Sequence, residues 1–494
     1  MKHAAINAAP SGAGVLVLAY YKGADLSGSP LWTGLSLEAQ TYLGKVQKNS
    51  SDSRYVVLPG DGEQGVLLYA LGEREKFSSR KARLAARKIA MMLKDCKAIT
   101  ATIALSDMMI EGVTEEVLAE LLATNIEMAT YTFDTYKTKK SEEKEQEKKL
   151  IAVQYFTADV ERMNAALERG VIIGEAVNAA RELINIPGGD MTPTGLAQAA
   201  RKHAEPHGVT VTVLGEDTMT ELGMGGILGV SRGSVEEAQF IVMEYRGGPA
   251  DQKPIVFAGK GITFDSGGLH IKPSNAMDEM HMDMGGAGAV IEAVTAVARM
   301  KLPINLIGLV PAAENMPSGQ SYRPGDVLTS MSGQTIEVVS PDAEGRVVLA
   351  DALTYAERYD PSLVVDVATL TGAVIVALGH YAIGYMTPHE ELAVELRSVS
   401  ETSGDYAWEL PLWEEYESLI EGEIGDFLNA GKNREAGTIN GGMFLYQFAK
   451  KFPRWVHCDI ASTMTTSKDD ALASGASGSG TRLLIEIARR EAGK

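Results

Sequence analysis

The feature that most constrains the fold is a repeated alternation of two patterns. Apolar runs of four to eight residues, rich in Val, Ile and Leu, are separated by longer stretches with helical periodicity. Residues 14–20, 55–58, 65–69, 98–105 and 150–156 read as strands, with helices over 79–94 and 114–130. A second series follows, with strands at 209–214, 240–245, 254–258, 304–310 and 363–367. Nearly continuous apolar strands joined by helices build a mostly parallel sheet covered on both faces. Ligands of such sheets bind at the carboxyl ends of the strands.

The expected organisation is an N-terminal α/β domain over 1–158, a connecting helix over 159–186 and a larger C-terminal α/β domain over 187–494. Pro187-Gly188-Gly189 stops the connecting helix, and Thr192-Pro193 reads as an N-cap followed by proline at the first helical position. Residues 137–149 form a charge run with no apolar residue, which reads as a solvated loop.

Composition excludes several classes. With 46 Lys and Arg against 65 Asp and Glu, the net charge is −19. Such a chain lacks the basic surface that nucleic acid needs and has no attraction to anionic lipid. Two cysteines, Cys96 and Cys458, rule out a disulfide framework and suit a reducing, cytoplasmic setting. Residues 1–10 lack the apolar stretch of a signal peptide. Residues 363–386 are long enough to span a bilayer, but they contain Asp366 and His380 and read as a buried strand followed by a small-residue helix.

Three polar, glycine-rich clusters sit where strands end, at 258–268, 278–286 and 340–346. In the first, Gly259 and Gly261 begin a G-x-G, but Phe264 stands where a dinucleotide fingerprint needs glycine. No G-K-[ST] phosphate loop, zincin H-E-x-x-H or G-x-S-x-G elbow occurs; His203 and His207 bracket Pro206, which breaks the helix a zincin requires. What remains is carboxylates and lysines: Lys260, Asp265, Lys272, Asp283, Asp342 and Glu344. In the third cluster Asp342, Glu344 and Arg346 alternate, which places all three on one side of an extended backbone. Carboxylates so close need a cation between them or raised pKa values. Oxygen donors without Cys or His suit Mg²⁺, Mn²⁺ or a hydrolytic Zn²⁺ pair. Spacing alone leaves a surface turn with a salt bridge equally open.

Longer motifs separate the two readings. K-G-I-T-F-D-S-G-G at 260–268, M-D-M-G-G-A at 282–287, E-N-M-P-S-G at 314–319 and D-A-E-G-R-V-V-L-A-D-A-L at 342–353 occur in this order. A-R-E-L-I-N-I-P at 180–187, D-V-A-T-L-T-G at 366–372 and W-V-H-C-D-I-A at 455–461 accompany them. From about residue 176 onward the chain resembles the leucyl aminopeptidase family of two-metal exopeptidases. The resemblance implies that 187–494 is a metallopeptidase catalytic domain and that 1–158 serves oligomerisation or regulation.

By that resemblance Lys260, Asp265, Asp283 and Glu344 hold a tighter divalent metal. Asp265, Asp342 and Glu344 hold a more exchangeable one, Mn²⁺, Zn²⁺, Mg²⁺ and Co²⁺ all being compatible. A water or hydroxide between the metals attacks the first peptide carbonyl, Lys272 stabilises the oxyanion, and Arg346 holds a bicarbonate ion as general base. Thr369, Leu370 and Gly372 bind the substrate backbone; Met280, Thr369, Gly372, Asn440 and Met443 line the side-chain pocket. The implied substrates are peptides with a free N-terminus and an apolar first residue, leucine above all, and the implied assembly is a homohexamer.

Two departures stand out. The family's usual Asn-Thr before Asp-Ala-Glu-Gly-Arg is Ser340-Pro341, which removes an amide donor and bears on the hold on the exchangeable metal. Residues 440–443 are Asn-Gly-Gly-Met where the family often has alanines. The alternative to an enzyme is a catalytically silent hexameric scaffold or binding homologue, which loss of Lys260, Asp283 or Glu344 would mark; all three are present.

Overall fold

The computed structural model describes residues 1–8, 14–49, 52–58, 65–138 and 149–494. It divides into two compact units: residues 1–175 with 467–473, and residues 176–466 with 474–494. The division falls within the long helix Val160–Asn185 rather than at its ends. Most of the charge run at 137–149 lies outside the described residues.

The first unit holds a six-stranded sheet, ordered Lys2–Ile6, Ala152–Phe156, Thr100–Ala104, Val15–Tyr21, Gly65–Gly72 and Arg54–Val57. All its pairs are parallel except the last. Helices Ser79–Asp95 and Glu115–Thr130 bury Ile89, Leu93, Leu122 and Ile126 in a core shared with Val17, Leu67 and Ile103. Thr114 caps the second of these helices by accepting from the Val117 amide at 3.5 Å. Two elements carry no strong sequence signal. The strand Lys2–Ile6 is a half-exposed edge, so it needs no apolar run, and the helix Leu37–Asn49 has few long apolar side chains.

The second unit is built on a nine-stranded mixed sheet. Its path runs Ala407–Glu409, Ile383–Met386, Trp455–Asp459, Leu363–Ala368, Ile255–Gly259, Asn305–Asn315, Gln239–Arg246 and Thr210–Leu214. The four central strands of that path are mutually parallel. Gly261–Asp265 also lies parallel to Asn305–Asn315, beyond the end of Ile255–Gly259. Asn305–Asn315 runs five residues past its apolar signal, through Pro311. Its neighbour breaks there, since Leu309 pairs with Ala258 and Ala312 with Gly261. Pro311 falls opposite the break, where a missing N–H interrupts no run of ladder pairs on that side.

Helices Gly285–Arg299 and Glu344–Ala356 are buried along almost their whole length, as expected of helices covering a parallel sheet. Pro193 begins the helix Pro193–Ala204, capped by the Thr192 hydroxyl. The 363–386 stretch forms the strand Leu363–Ala368, the short helix Gly372–Leu378 and the strand Ile383–Met386. Among the described residues no helix is long and apolar enough to cross a membrane.

One partly buried histidine–carboxylate pair links two of these helices. His203 Nδ1 lies 2.5 Å from Glu292 Oε1, and the Glu292 side chain is only 4% exposed. The hydrogen bond to Glu292 raises the His203 pKa above its ordinary 6.5, against the opposing effect of burial. A histidine raised in the folded state contributes stability below its unfolded pKa and loses it as pH rises through the folded value. The denaturation midpoint is therefore expected to fall as pH rises from about 6 to about 8. Glu292→Gln should flatten that dependence, as chemical denaturation across the range would show.

Candidate active site

Five strands of the second unit end at one place. Lys260 follows Ile255–Gly259, Asp265 ends Gly261–Asp265, and Asn315 ends Asn305–Asn315. Thr369 follows Leu363–Ala368, and Asp459 ends Trp455–Asp459. These are the carboxyl ends, where a parallel sheet exposes its ligand-binding edge. Two helix N-termini meet them. Asp283 precedes Gly285–Arg299, and Glu344 is the first residue of Glu344–Ala356.

Glycine permits this convergence. A Cβ on Gly286 would lie 2.1 Å from the Val367 carbonyl oxygen, and one on Gly345 would lie 2.5 Å from Lys260 Cε. Both helices therefore approach the strand ends more closely than any side chain allows. The Lys260 amide donates to Val367 and its carbonyl accepts from Ala287, at 3.0 and 2.8 Å.

Lys260 is buried at the centre. Its Nζ lies 2.7 Å from Asp283 Oδ2 and 2.7 Å from Glu344 Oε1, and donates to the Thr369 carbonyl at 2.9 Å. Thr369 Oγ1 donates in turn to Asp283 Oδ1 at 2.8 Å. Lys272 Nζ sits between Asp265 Oδ2 at 2.8 Å and Asp342 Oδ1 at 2.5 Å. Carboxylate oxygens of Asp265, Asp342 and Glu344 lie within 4.8 Å of one another. The structure thus brings Lys260, Asp265, Lys272, Asp283, Asp342 and Glu344 into one cluster.

Four carboxylates share two ammonium groups here, and the surplus negative charge shows in their protonation. Burial, with Glu344 nearby, pushes Asp265 up to about 6 against the pull of Lys272 and Lys260. Burial also drives Asp283 upward, and Asp342 less so. Glu344 goes the other way: burial opposes its charge, but Lys260 and Lys272 hold it down at about 2. Burial works against both lysine charges, yet Asp283 and Glu344 beside Lys260, and Asp265 and Glu344 beside Lys272, outweigh it and raise both.

The expected alternation of Asp342, Glu344 and Arg346 along an extended backbone does not occur. The helix begins at Glu344, so Glu344 and Arg346 are separated by about 200° around its axis. Glu344 faces Lys260, whereas the Arg346 guanidinium lies toward Gly441. Arg346 is nonetheless buried beside Glu344 and Asp459, burial lowers its pKa to about 10 despite them, and its Nε has no hydrogen-bond partner.

The site's donor chemistry fits divalent cations. Asp283 Oδ2 and Glu344 Oε2 are buried without a hydrogen bond, although Asp283 Oδ2 touches the Lys260 ammonium as an ion pair. Buried carboxylate oxygens in that condition, with carboxylates outnumbering ammonium groups, are acceptors suited to hard cations. The orphaned Nε of buried Arg346 likewise suits a small oxyanion.

Pro341 and Ser340 are held firmly. The Pro341 carbonyl accepts from Tyr322 Oη at 2.5 Å and from Asn315 Nδ2 at 3.0 Å. Asn429 accepts from the Val339 and Ser340 amides and donates to the Ser340 carbonyl. Asn315 Nδ2 also donates to Asp265 Oδ1 at 2.7 Å, tying the Asp265 carboxylate to the Pro341 turn. Sequence reading gave Asn315, Tyr322 and Asn429 no role; Asn315 stood inside a quoted motif, and the other two carried no signal.

Of the pocket residues, Gly372 is exposed, Leu370 and Met280 are half-buried, and Thr369 is buried. Asn440 and Met443 are 2% and 1% exposed, on the helix Gly437–Ala449. His457 and Cys458 are fully buried, and His457 pairs with Asp366.

Comparison with known proteins agrees with this geometry. Residues 178–485 match the catalytic domain of the cytosol aminopeptidase family and residues 37–140 match its N-terminal domain. The chain is 43% identical to a probable cytosol aminopeptidase of Tolumonas auensis, covering 88% of this chain and 86% of the relative. Its identity to the protein of that description from Syntrophotalea carbinolica is 42%, over 93% and 91% of the two chains. Among solved structures, the bottromycin maturation enzyme BotP in complex with Mn superposes with a TM-score of 0.85 and 31% identity, covering 97% of this chain and all of that one. A chain with this fold and this cluster belongs to a class of hydrolases that act at the amino terminus of peptides. It is a member of the cytosol aminopeptidase family.

Gly345→Ala tests the packing at Lys260. The added methyl would meet Lys260 Cε and Nζ at 2.5 and 2.7 Å and displace the ammonium. Outer contacts of this kind typically change metal affinity or activity by about tenfold or more. We expect a folded protein with peptide hydrolysis reduced by at least about tenfold, read by circular dichroism and a dipeptide assay.

Proposed function

We propose that the protein is a metal-dependent aminopeptidase that removes an apolar N-terminal residue, leucine foremost, from peptides. The observation that carries this reading is the buried cluster of four carboxylates around Lys260 and Lys272 at the strand ends. Asp265, Asp283, Glu344 and Lys260 would hold one divalent cation, and Asp265, Asp342 and Glu344 a second. The Mn-bound relative supports Mn²⁺, and the donor set also accepts Zn²⁺, Mg²⁺ or Co²⁺. When bound, these ions supply Lewis-acid polarisation of the scissile carbonyl and activation of water.

The chain's own groups supply the rest. Lys260, held protonated by its carboxylates, would give up that proton to act as a donor, so metal loading releases protons. Lys272, on the more open side, donates a hydrogen bond to the carbonyl oxygen as it gains charge. Arg346 keeps its own proton and would hold bicarbonate as the general base. Backbone groups of Thr369, Leu370 and Gly372 orient the peptide. Met280, Thr369, Gly372, Asn440 and Met443 would line the side-chain pocket.

The relatives' description supports a cytoplasmic setting. The family resemblance supports a homohexamer in which residues 1–158 serve assembly or regulation. Apolar side chains such as Val376 and Tyr381, 89% and 71% exposed, are surface that a neighbouring copy would cover.

Hydrolysis of Leu-Gly, Met-Gly and Cys-Gly by metal-stripped protein, with Mn²⁺ or Zn²⁺ added back, tests the reading. We expect release of the N-terminal residue only with metal, no turnover by Glu344→Ala, and kcat lowered about 10²-fold or more by Lys272→Ala. Absence of turnover with every metal, in a folded wild-type protein, would leave the silent homologue as the reading.

A further inference from the structure

Asp459 is completely buried at the end of the strand Trp455–Asp459. Its carboxylate is satisfied chiefly by the backbone. Oδ1 accepts from the amides of Leu370 at 3.1 Å, Thr371 at 3.4 Å and Ala461 at 3.2 Å. Oδ2 accepts from the Thr371 hydroxyl at 2.6 Å. Having donated its proton there, Thr371 Oγ1 accepts from the Val374 amide at 3.2 Å and from Thr438 Oγ1 at 3.1 Å. One hydroxyl thus joins Asp459 to the first turn of Gly372–Leu378 and to the helix Gly437–Ala449.

The segment 369–372 is therefore fixed at its start and at its centre. At its start, the Thr369 carbonyl and hydroxyl engage Lys260 and Asp283. At its centre, the Leu370 and Thr371 amides are spent on Asp459. Only its outer edge, at Gly372 and part of Leu370, faces solvent. The titratable and basic groups within electrostatic reach of Asp459 are His457 on its own strand and Arg346 on the helix Glu344–Ala356. A buried carboxylate is costly unless several donors converge on it, and here all but the Ala461 amide belong to the segment proposed to bind substrate.

We propose that Asp459 is a positioning residue for substrate: it clamps the Leu370 and Thr371 amides so that the 369–372 backbone meets the peptide in register. This rests on the aminopeptidase reading above. The clamp makes no hydrogen bond to the proposed metal donors, and it reaches Arg346 only through its charge, so its loss should appear in KM before kcat.

The test compares Asp459→Asn with Asp366→Asn. Asp366 is equally buried, but its side chain hydrogen-bonds to His457 and Trp455 rather than to the segment. For Asp459→Asn on Leu-Gly with Mn²⁺ we expect KM raised about tenfold, kcat within about threefold, unchanged bound metal, and faster amide exchange at Leu370 and Thr371. Asp366→Asn should lower the thermal midpoint without that KM change. The proposal is overturned if both variants shift KM alike, if Asp459→Asn loses metal, or if exchange at 369–372 is unaltered. If Asp459→Asn does not fold, Thr371→Ser and Thr371→Val replace it. The serine should keep the wild-type KM and the valine raise it; equal KM values for the two would overturn the clamp. If the wild-type protein hydrolyses none of these peptides, the aminopeptidase reading fails, while amide exchange still decides the clamp.

Discussion

The site depends on a single buried ammonium group. Lys260 is surrounded by Asp283, Glu344 and the Thr369 carbonyl at 2.7 to 2.9 Å, with almost no access to water. Removing that charge from water is expensive, and only close, well-directed anions offset the loss. Those anions and the carbonyl arrive on separate elements: Asp283 just before one helix, Glu344 at the start of another, and Thr369 after a strand. Gly286 and Gly345 are where the chain forgoes side chains so that these elements come within reach. The glycines of the second and third clusters are thus part of the electrostatics, because they set the distance over which the charges act.

The same arrangement explains why the carboxylates do not behave alike. Glu344 heads a helix and faces both lysines, so it is held ionised at about 2. Asp265 is equally buried, and burial first and the Glu344 charge second push it up to about 6. One cluster therefore contains a permanently charged anchor and neighbours whose raised pKa values let protons relieve the excess negative charge. Sites of this composition attract multivalent cations more strongly than single ammonium groups, because each added positive charge relieves several repulsions at once.

Much of this was legible in the sequence, and what was missed has a physical pattern. Buried strands announce themselves by apolar runs, so Ile255–Gly259 and Leu363–Ala368 were expected within a residue or so. Lys2–Ile6 was not, because an edge strand lies under no obligation to be apolar. The residue types at Lys260, Asp265, Asp283, Asp342 and Glu344 pointed to one cluster, and the structure assembles it. The local geometry did not follow, since alternation implies a shared face only if the backbone is extended, and the helix begins at Glu344. Asn315 and Asp459 stood inside quoted motifs, but the sequence assigned neither a role, for another reason. Their partners are largely backbone amides and carbonyls of remote segments, and no pattern of residue types encodes such contacts.

The Ser340-Pro341 departure shows how backbone contacts decide a question that motifs leave open. Proline removes an amide donor and restricts φ, which by itself would leave the turn before Asp342 with fewer internal bonds. Here the Pro341 carbonyl takes two donors, from Tyr322 and Asn315, while Asn429 grips the residues just before it. Asn315 binds the Asp265 carboxylate with the same amide nitrogen, so the two acidic residues facing Lys272 share one support. What distinguishes Asp342 is its exposure, 37% of its side chain against 3% for Asp265. In the two-cation reading proposed above, a weaker hold at Asp342 would follow from access to water there rather than from a loose turn.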